Sequence, residues 1–287
     1  MSKILLYKLE NLIEGTVVKR PSKFIKSPYV ADVLINSGEE VLSHTPSLGC
    51  CGLAEVSSTV LMSSSNLKKT NKANKQCSYI LYLSIILEKG KEQIIGIHPK
   101  LAENLVESAL NKNCLSKLTN IQKYRRETTI HVKDKINSRF DFTGIDENGI
   151  PFIMEVKNVP LADYEDLPKA KKTERRDYSK FQLDSKVAYF PDGYRKKSSE
   201  PVSPRALKHI KEMTLIKLES KIRCIMCYVI QRTDVNRFQP SIIDPEYREA
   251  VKIAIASGVE LIILVVSWNR QGEAYFIRDD LPLTPFN

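Results

Sequence analysis

Ser138-Arg-Phe-Asp141-Phe-Thr-Gly-Ile-Asp-Glu-Asn-Gly-Ile-Pro-Phe-Ile-Met-Glu155-Val-Lys157 predicts two β-strands joined by a tight turn. Asp146-Glu-Asn-Gly149 is strong turn chemistry, because an Asn-Gly pair accepts the positive φ angles of a short hairpin. The flanking runs, Arg139 to Ile145 and Ile150 to Lys157, are rich in Phe and Ile. Strand alternation sends Met154 and Val156 to one face and Glu155 and Lys157 to the other. Asp141, near the start of the first strand, faces that polar pair across the hairpin. Two carboxylates and an ammonium are thus expected on one patch of a sheet whose other face is apolar.

That grouping has a chemical use. Carboxylates held close together repel, and one keeps its proton unless a hard cation such as Mg²⁺ lies between them. A lysine beside such a cation can orient a water for attack on a phosphate and stabilise the developing charge. A Glu-x-Lys is also ordinary strand patterning, a solvated polar face on a half-buried strand. The upstream Asp, the hairpin and the basic excess of the chain favour the chemical reading.

The chain has 287 residues, enough for one large domain or two smaller ones, each with its own core. Hydrophobic residues make up 42% and charged residues 27%, the balance of an ordinary globular protein. The formal charge of +10 points to a polyanionic partner. No run approaches the ~18 apolar residues of a membrane span, so no membrane partner is expected. Met1-Ser-Lys-Ile-Leu-Leu-Tyr-Lys-Leu-Glu10 is too short and too charged for a secretory signal, which leads to an expected intracellular location, cytoplasm or nucleus. Of the six cysteines, Cys50-Cys51 and Cys224-x-x-Cys227 are the close pairs. No second Cys/His pair stands at zinc spacing, and Cys224 sits in an apolar, strand-like run, so all six are expected to be packing residues.

Residues 1–90 read as all-β, with strands expected at Gly15–Lys19, Ala31–Ile35, Glu40–His44, Val56–Met62 and Tyr79–Leu87. Five short strands at this spacing suit an OB-like barrel, and residues 1–90 are expected to be a nucleic-acid-binding domain. Lys19, Arg20, Lys23 and Lys26, interleaved with Phe24 and Tyr29, suit phosphate contact with base stacking; a solvated, basic edge strand is the alternative. Ser63–Ser78, with Lys68, Lys69, Lys72 and Lys75, reads as a flexible loop. From Pro99 to Leu118 the period becomes helical, with Leu101, Leu105, Val106 and Ala109 on one face. Asp163–Lys186, with Lys169-Ala-Lys-Lys-Thr-Glu-Arg-Arg176, is either a solvated surface helix or a nucleic-acid arm. Beyond it, helices at Pro204–Leu218 and Pro245–Ser257 alternate with strands at Cys224–Gln231 and Leu261–Ser267, as in an α/β sheet.

Arg139-Phe-Asp141-Phe, followed by Met154-Glu155-Val-Lys157-Asn-Val-Pro-Leu161, resembles the core of the sugar fermentation stimulation protein A family. Further matches come in family order. They are Thr16-Val-Val-Lys-Arg20, His44-Thr-Pro46-Ser-Leu-Gly49, Tyr189-Phe-Pro-Asp192, Ser203-Pro-Arg205-Ala-Leu-Lys208-His209-Ile210 and Phe238-Gln-Pro240. The resemblance implies an α+β or α/β chain in which an OB-like β-barrel is followed by a restriction-endonuclease-like domain of the PD-(D/E)xK type, over residues 91–287. It implies Asp141 and Glu155 as metal ligands, with the Val156 carbonyl beside them and Lys157 positioning the attacking water. Mg²⁺ or Mn²⁺ is the implied cofactor. PD-(D/E)xK nucleases often draw another acid from a preceding helix, for which Glu103 and Glu107 are candidates. The family carries Ala-Asn-Arg-Leu where this chain has Ala102-Glu-Asn-Leu105, so the choice stays open. Arg139, Arg205, Lys208 and His209 join Lys19, Arg20, Lys23 and Phe24 as expected nucleic-acid contacts.

Two functions follow. One is a metal-dependent nuclease cleaving phosphodiester bonds, with DNA the expected substrate. The other is a sequence-nonspecific DNA-binding or regulatory protein that retains the nuclease fold without catalysis.

Overall fold

In the computed structural model the chain forms two main sheets that share a core, and the expected hairpin lies in the larger one. The structure describes residues 3–47, 49–65, 77–133, 135–167, 171, 177–191 and 200–286. The loop lysines Lys68, Lys69, Lys72 and Lys75, and all of Lys169–Arg176 but Lys171, lie outside these residues.

The chain opens with β1 (Ile4–Lys8) and continues through β2 (Ile13–Lys19), β3 (Val30–Ile35), β4 (Glu40–His44), β5 (Thr59–Ser64), β6 (Tyr79–Glu88) and β7 (Lys91–Gly96). β2 to β7 make one sheet in the order β4-β3-β2-β5-β6-β7, and a parallel contact of β4 with β6 closes five of them into a barrel. Alternation along these strands points Val17, Val33, Val60, Met62 and Leu81 inward. The barrel expected from residues 1–90 is therefore there, but sheet membership does not follow the 90/91 boundary. Lys89 and Gly90, with φ of 49° and 74°, turn a hairpin that pairs β6 with β7, so the barrel sheet runs on to Gly96. β1 leaves it altogether and pairs with the last strand of the chain.

After β7 come α1 (Pro99–Asn111), β8 (Lys123–Val132), β9 (Ile136–Ile145), β10 (Pro151–Val159), β11 (Ala162–Asp163) and β12 (Lys186–Phe190). The chain ends with α2 (Pro204–Glu219), β13 (Arg223–Ile230), β14 (Val235–Pro240), α3 (Pro245–Ala256), β15 (Glu260–Trp268) and β16 (Glu273–Arg278). The larger sheet runs β1-β16-β15-β13-β10-β9-β8, with β10, β13 and β15 parallel at its centre. β11, β12 and β14 form a small separate sheet. α1 stops short of the expected Leu118, yet Leu115 and Leu118 are buried. The apolar spacing was real, but its last members fill the core from an irregular segment. No helix among the described residues is long and apolar enough to cross a membrane.

Both faces of the seven-stranded sheet are covered, which corrects the expectation of one apolar and one polar face. Leu101, Leu105 and Val106 of α1 meet Phe142, Met154 and barrel residues Leu61 and Leu83 on one side. Ile210 and Met213 of α2, with Val251 of α3, meet Ile153, Met226 and Phe238 on the other. After Arg223, β13 is accordingly buried from Cys224 to Ile230 with no charged residue, as suits a central parallel strand. The hairpin turn also differs in detail, since only Gly149 of the Asn-Gly pair takes a positive φ, 78°. Asp146 does the rest, its buried Oδ1 accepting the N–H groups of Asn148 and Ile150, each at 2.9 Å.

Gly96 marks where the barrel is locked to the larger sheet. Its N–H donates to the Gln231 carbonyl, and a Cβ there would stand 1.8 Å from Gln231 Oε1 and 2.7 Å from Trp268 Nε1. Gln231 cannot swing aside cheaply, because it is fully buried, accepts from Trp268 Nε1 at 2.9 Å and donates to Asn158 at 2.8 Å. Gly96→Ala should lower the unfolding free energy by about 1–3 kcal/mol in urea titrations, the usual cost of overpacking.

Candidate active site

The β9–β10 ladder ends at Phe142↔Met154, and beyond that pair the strands part. β9 goes on beside β8 to Ile136↔Val132, while β10 stays with β13 as far as Val159↔Ile230. Asp141 and Glu155 are the first residues past the fork, one on each arm. Asp141 is also skipped by β8, where Arg126↔Phe142 and Thr128↔Phe140 pair in register but Glu127, with φ 52°, does not join. The distortion carries Phe140 into the core on one face and Phe142 into the core on the other, which an undisturbed strand would not do. In place of a ladder bond, Asp141 Oδ2 accepts the Val156 N–H at 2.7 Å.

Glu155 is 1% exposed. Lys157 Nζ donates to its Oε1, and His209 Nδ1 lies 2.6 Å from the same oxygen, off the line of a hydrogen bond. Glu155 Oε2 is buried with no hydrogen-bond partner among the described residues. Burial alone would raise the Glu155 pKa, but the Lys157 charge and the nearby His209 outweigh it and hold the carboxyl below the usual range. Asp141 goes the other way. Burial, and then the Glu155 charge, push it up to about 7 against the pull of the Val156 N–H and Lys157.

A carboxyl raised in the folded state binds its proton more tightly there than in the unfolded chain, so it opposes folding as pH rises. For Asp141 the window runs from its ordinary value of 3.8 to about 7. In EDTA, Asp141→Asn should match wild type in Tm near the bottom of that window. It should gain on wild type as pH rises through the window and hold a constant advantage above it; a difference independent of pH would contradict this.

Of the two helix acids the structure brings Glu103 to the cleft and leaves Glu107 outside. Arg126 binds both, Nη2 to Glu103 at 2.8 Å and Nη1 to Glu107, and Glu107 also accepts from Tyr124. A full helical turn separates them, so α1 can offer only one to the notch. Asp141, Glu155, Val156 and Lys157 form the floor of a cleft of about 300 Å³. Glu103 and Pro99 lie at one margin, Ser47, Cys50 and Cys51 of the barrel form a wall, and Phe190 and Arg205 line it too. A larger cavity of about 590 Å³ lies near Glu88, Lys89 and Asp234, but Lys186 pairs with both of these acids.

The expected nucleic-acid contacts divide. Lys19, Lys23, Phe24, Arg139, Arg205 and Lys208 are exposed, and Arg205 lines the cleft. Lys23 pairs with Glu40 and Arg139 with Glu127, while Lys208 donates to the Asn137 carbonyl. Arg20 is not a surface contact. Its side chain is 4% exposed and donates to the carbonyls of Pro28 and Ser47, holding two loops of the barrel together. His209 is likewise buried, on the inner face of α2 against Glu155 and Phe140. Cys224 and Cys227 face opposite cores, which rules out a shared metal and agrees with packing. Cys50 is buried in the barrel core, as expected of a packing residue, but it and the half-buried Cys51 also line the cleft. No spacing rule connects them, or Phe190, with residues near position 150. The only sequence signal was that both neighbourhoods belong to segments resembling the family.

Comparison with known proteins bears on the family and the fold. The family model described as the sugar fermentation stimulation protein RE domain matches residues 100–176 and 179–272. A sugar fermentation stimulation protein homolog of Alteromonas mediterranea is 31% identical over 258 residues, 88% of this chain and 89% of that one. Another, from Nostoc punctiforme, is 29% identical over 90% of each chain. The solved structure of Pyrococcus furiosus SfsA in complex with Ca²⁺ superposes with a TM-score of 0.70, covering 98% of this chain and all of that one at 20% identity, a likeness of fold. With its RE-domain match and its full-length relatives, this chain belongs to the sugar fermentation stimulation protein family.

Proposed function

We propose that the protein is a metal-dependent nuclease that hydrolyses phosphodiester bonds in nucleic acid. The observation that carries this is Glu155 Oε2, a buried carboxylate oxygen without a hydrogen-bond partner among the described residues, across the fork from a second carboxylate. Leaving such an atom unpaired costs about 1–3 kcal/mol or more for a charged group. An all-oxygen pair of carboxylates suits a hard divalent cation, so the residues fit Mg²⁺ or Mn²⁺. Asp141 and Glu155 would hold it, with Glu103 at the margin and the Val156 main chain alongside. The Ca²⁺ in the Pyrococcus furiosus relative is a cation of the same hard class. When bound, such a cation polarises a phosphoryl oxygen and acidifies water.

The chain's own groups supply the rest. Val156 N–H fixes the Asp141 rotamer, and His209 packs behind Glu155, so that neither carboxylate wanders. Lys157, anchored on Glu155, holds the attacking water and offers positive charge to the phosphorane-like transition state. As the water oxygen bonds to phosphorus it releases a proton to solvent, and the opposite P–O bond breaks, its oxygen leaving with a proton taken from solvent. Arg205 on the cleft margin is placed to steady a neighbouring phosphate.

The deciding experiment incubates the protein with single- and double-stranded DNA and RNA in Mg²⁺, in Mn²⁺ and in EDTA. Cleavage with either metal and none in EDTA is expected. Salt-sensitive binding with no cleavage in any metal would leave the non-catalytic binding protein as the better description.

A further inference from the structure

We infer that the substrate is a single polynucleotide strand, led over an aromatic shelf on the barrel into the cleft, and that duplexes are kept from the carboxylates. What happens to the strand in the cleft rests on the nuclease reading above; its binding does not.

The first ground is the shape of the site. Glu155 is almost fully buried on the floor, and the cleft above it measures about 300 Å³, the lower end of the range for ligand pockets. Ser47, Cys50 and Cys51 come from the barrel, whereas Phe190 and Arg205 come from the segments that cover the larger sheet. A phosphate must descend between these elements to reach Glu155. B-DNA presents its phosphates on a rod, with the second strand only a groove width away, about 6–12 Å. Enzymes whose target atom the duplex keeps out of reach act on a single strand or extrude the nucleotide into a pocket. Phe190 is partly buried, with its ring edge-to-face on Tyr247 at 5.5 Å, and it gives the cleft an aromatic surface for an unpaired base.

The second ground is independent and lies on the barrel. Tyr29 is 43% and Phe24 51% exposed, and the Tyr29 ring is stacked with that of His44 at 6.4 Å and 10°. This shelf is rigidly joined to the cleft wall. Arg20 donates to Pro28 O at 3.0 Å and to Ser47 O at 2.9 Å, and Thr45 N–H donates to Tyr29 O at 2.8 Å. Lys19 and Lys26 are exposed on the same stretch of chain, and Lys23, paired with Glu40, sets its Nζ 5.0 Å from the centre of the Phe24 ring. Aromatic shelves bind bases through their faces, which a duplex keeps stacked and hidden, while flanking cations follow the backbone. Shelf and cleft thus form one path for one strand.

The test is fluorescence anisotropy in Ca²⁺ with a labelled DNA strand, the RNA strand of the same sequence, and the blunt DNA duplex. A single strand should bind at least about tenfold more tightly than the duplex, as expected for one or two stacked bases. Phe24→Ala with Tyr29→Ala should remove that preference and leave duplex affinity unchanged, and Tyr29→Phe, which keeps the ring, should retain it. Preference for either DNA or RNA strand supports the inference and identifies the sugar. A duplex bound as tightly as the strands, or strand affinity unmoved by the double substitution, overturns it. Because no cleavage is measured, a strand preference in a protein that never cuts would count against the nuclease reading alone.

Discussion

Asp141→Ala should abolish metal-dependent cleavage, by about 10³-fold or more, and with it the stabilisation that metal confers. The size follows from the chemistry at stake, because a bound divalent ion is worth several kcal/mol of transition-state charge stabilisation, and each 1.36 kcal/mol is tenfold in rate. Glu155 alone cannot replace the pair, since its Oε1 is already engaged by Lys157. The variant should still fold. Asp141 is half-buried with a like charge nearby, and its loss removes a repulsion while giving up one bond to the Val156 N–H. Wild type should gain about 2.7 kcal/mol at a metal concentration one hundred times Kd, read as a rise in Tm, and Asp141→Ala should gain almost nothing. Thermal scans in EDTA and in Mg²⁺, run beside the cleavage assay, check both halves. Cleavage at the wild-type rate in Asp141→Ala would end the catalytic reading.

Lys157→Met should lower the single-turnover cleavage rate by about 100-fold or more while leaving affinity for nucleic acid in Ca²⁺ nearly unchanged. Methionine keeps much of the aliphatic length and loses the charge. Lys157 is only 12% exposed at its side chain and is anchored within the site, so it has little reach for a phosphate outside the cleft. Interactions made mainly in the transition state move the rate and not the binding constant. The reverse result, weaker binding with an intact rate, would make Lys157 a phosphate clamp. His209 separates positioning from contact in the same assay. If it merely packs behind Glu155, His209→Gln should weaken metal-induced stabilisation and cleavage together and leave strand binding in EDTA untouched.

Much of the site is legible in the sequence, because its core is local. Asp141, Glu155 and Lys157 lie on one hairpin, where a turn of known chemistry and period-2 alternation bring them together within about twenty residues. The same alternation revealed the barrel strands to within a few residues, since each needs only its own inward face. Local pattern ends where partners must be chosen. That β1 abandons the barrel for β16, and that β7 stays with β6 across the expected boundary, depends on which edges remain unpaired in the finished fold. Glu103 and Glu107 lie on one face of the helix and Arg126 binds both, so only the docking of α1 brings Glu103 to the notch and leaves Glu107 beside Tyr124. Arg20 and His209 carry charge-bearing side chains that sequence reads as surface; tertiary packing buries both, one as a loop clamp and one behind Glu155. Cys50 and Cys51 enter the cleft from about a hundred residues upstream of Glu155 and Phe190 from 35 residues downstream, where no periodicity reaches. Chemistry carried by neighbours in the chain was determined by the sequence itself, and everything that depended on burial between distant segments was decided by the fold.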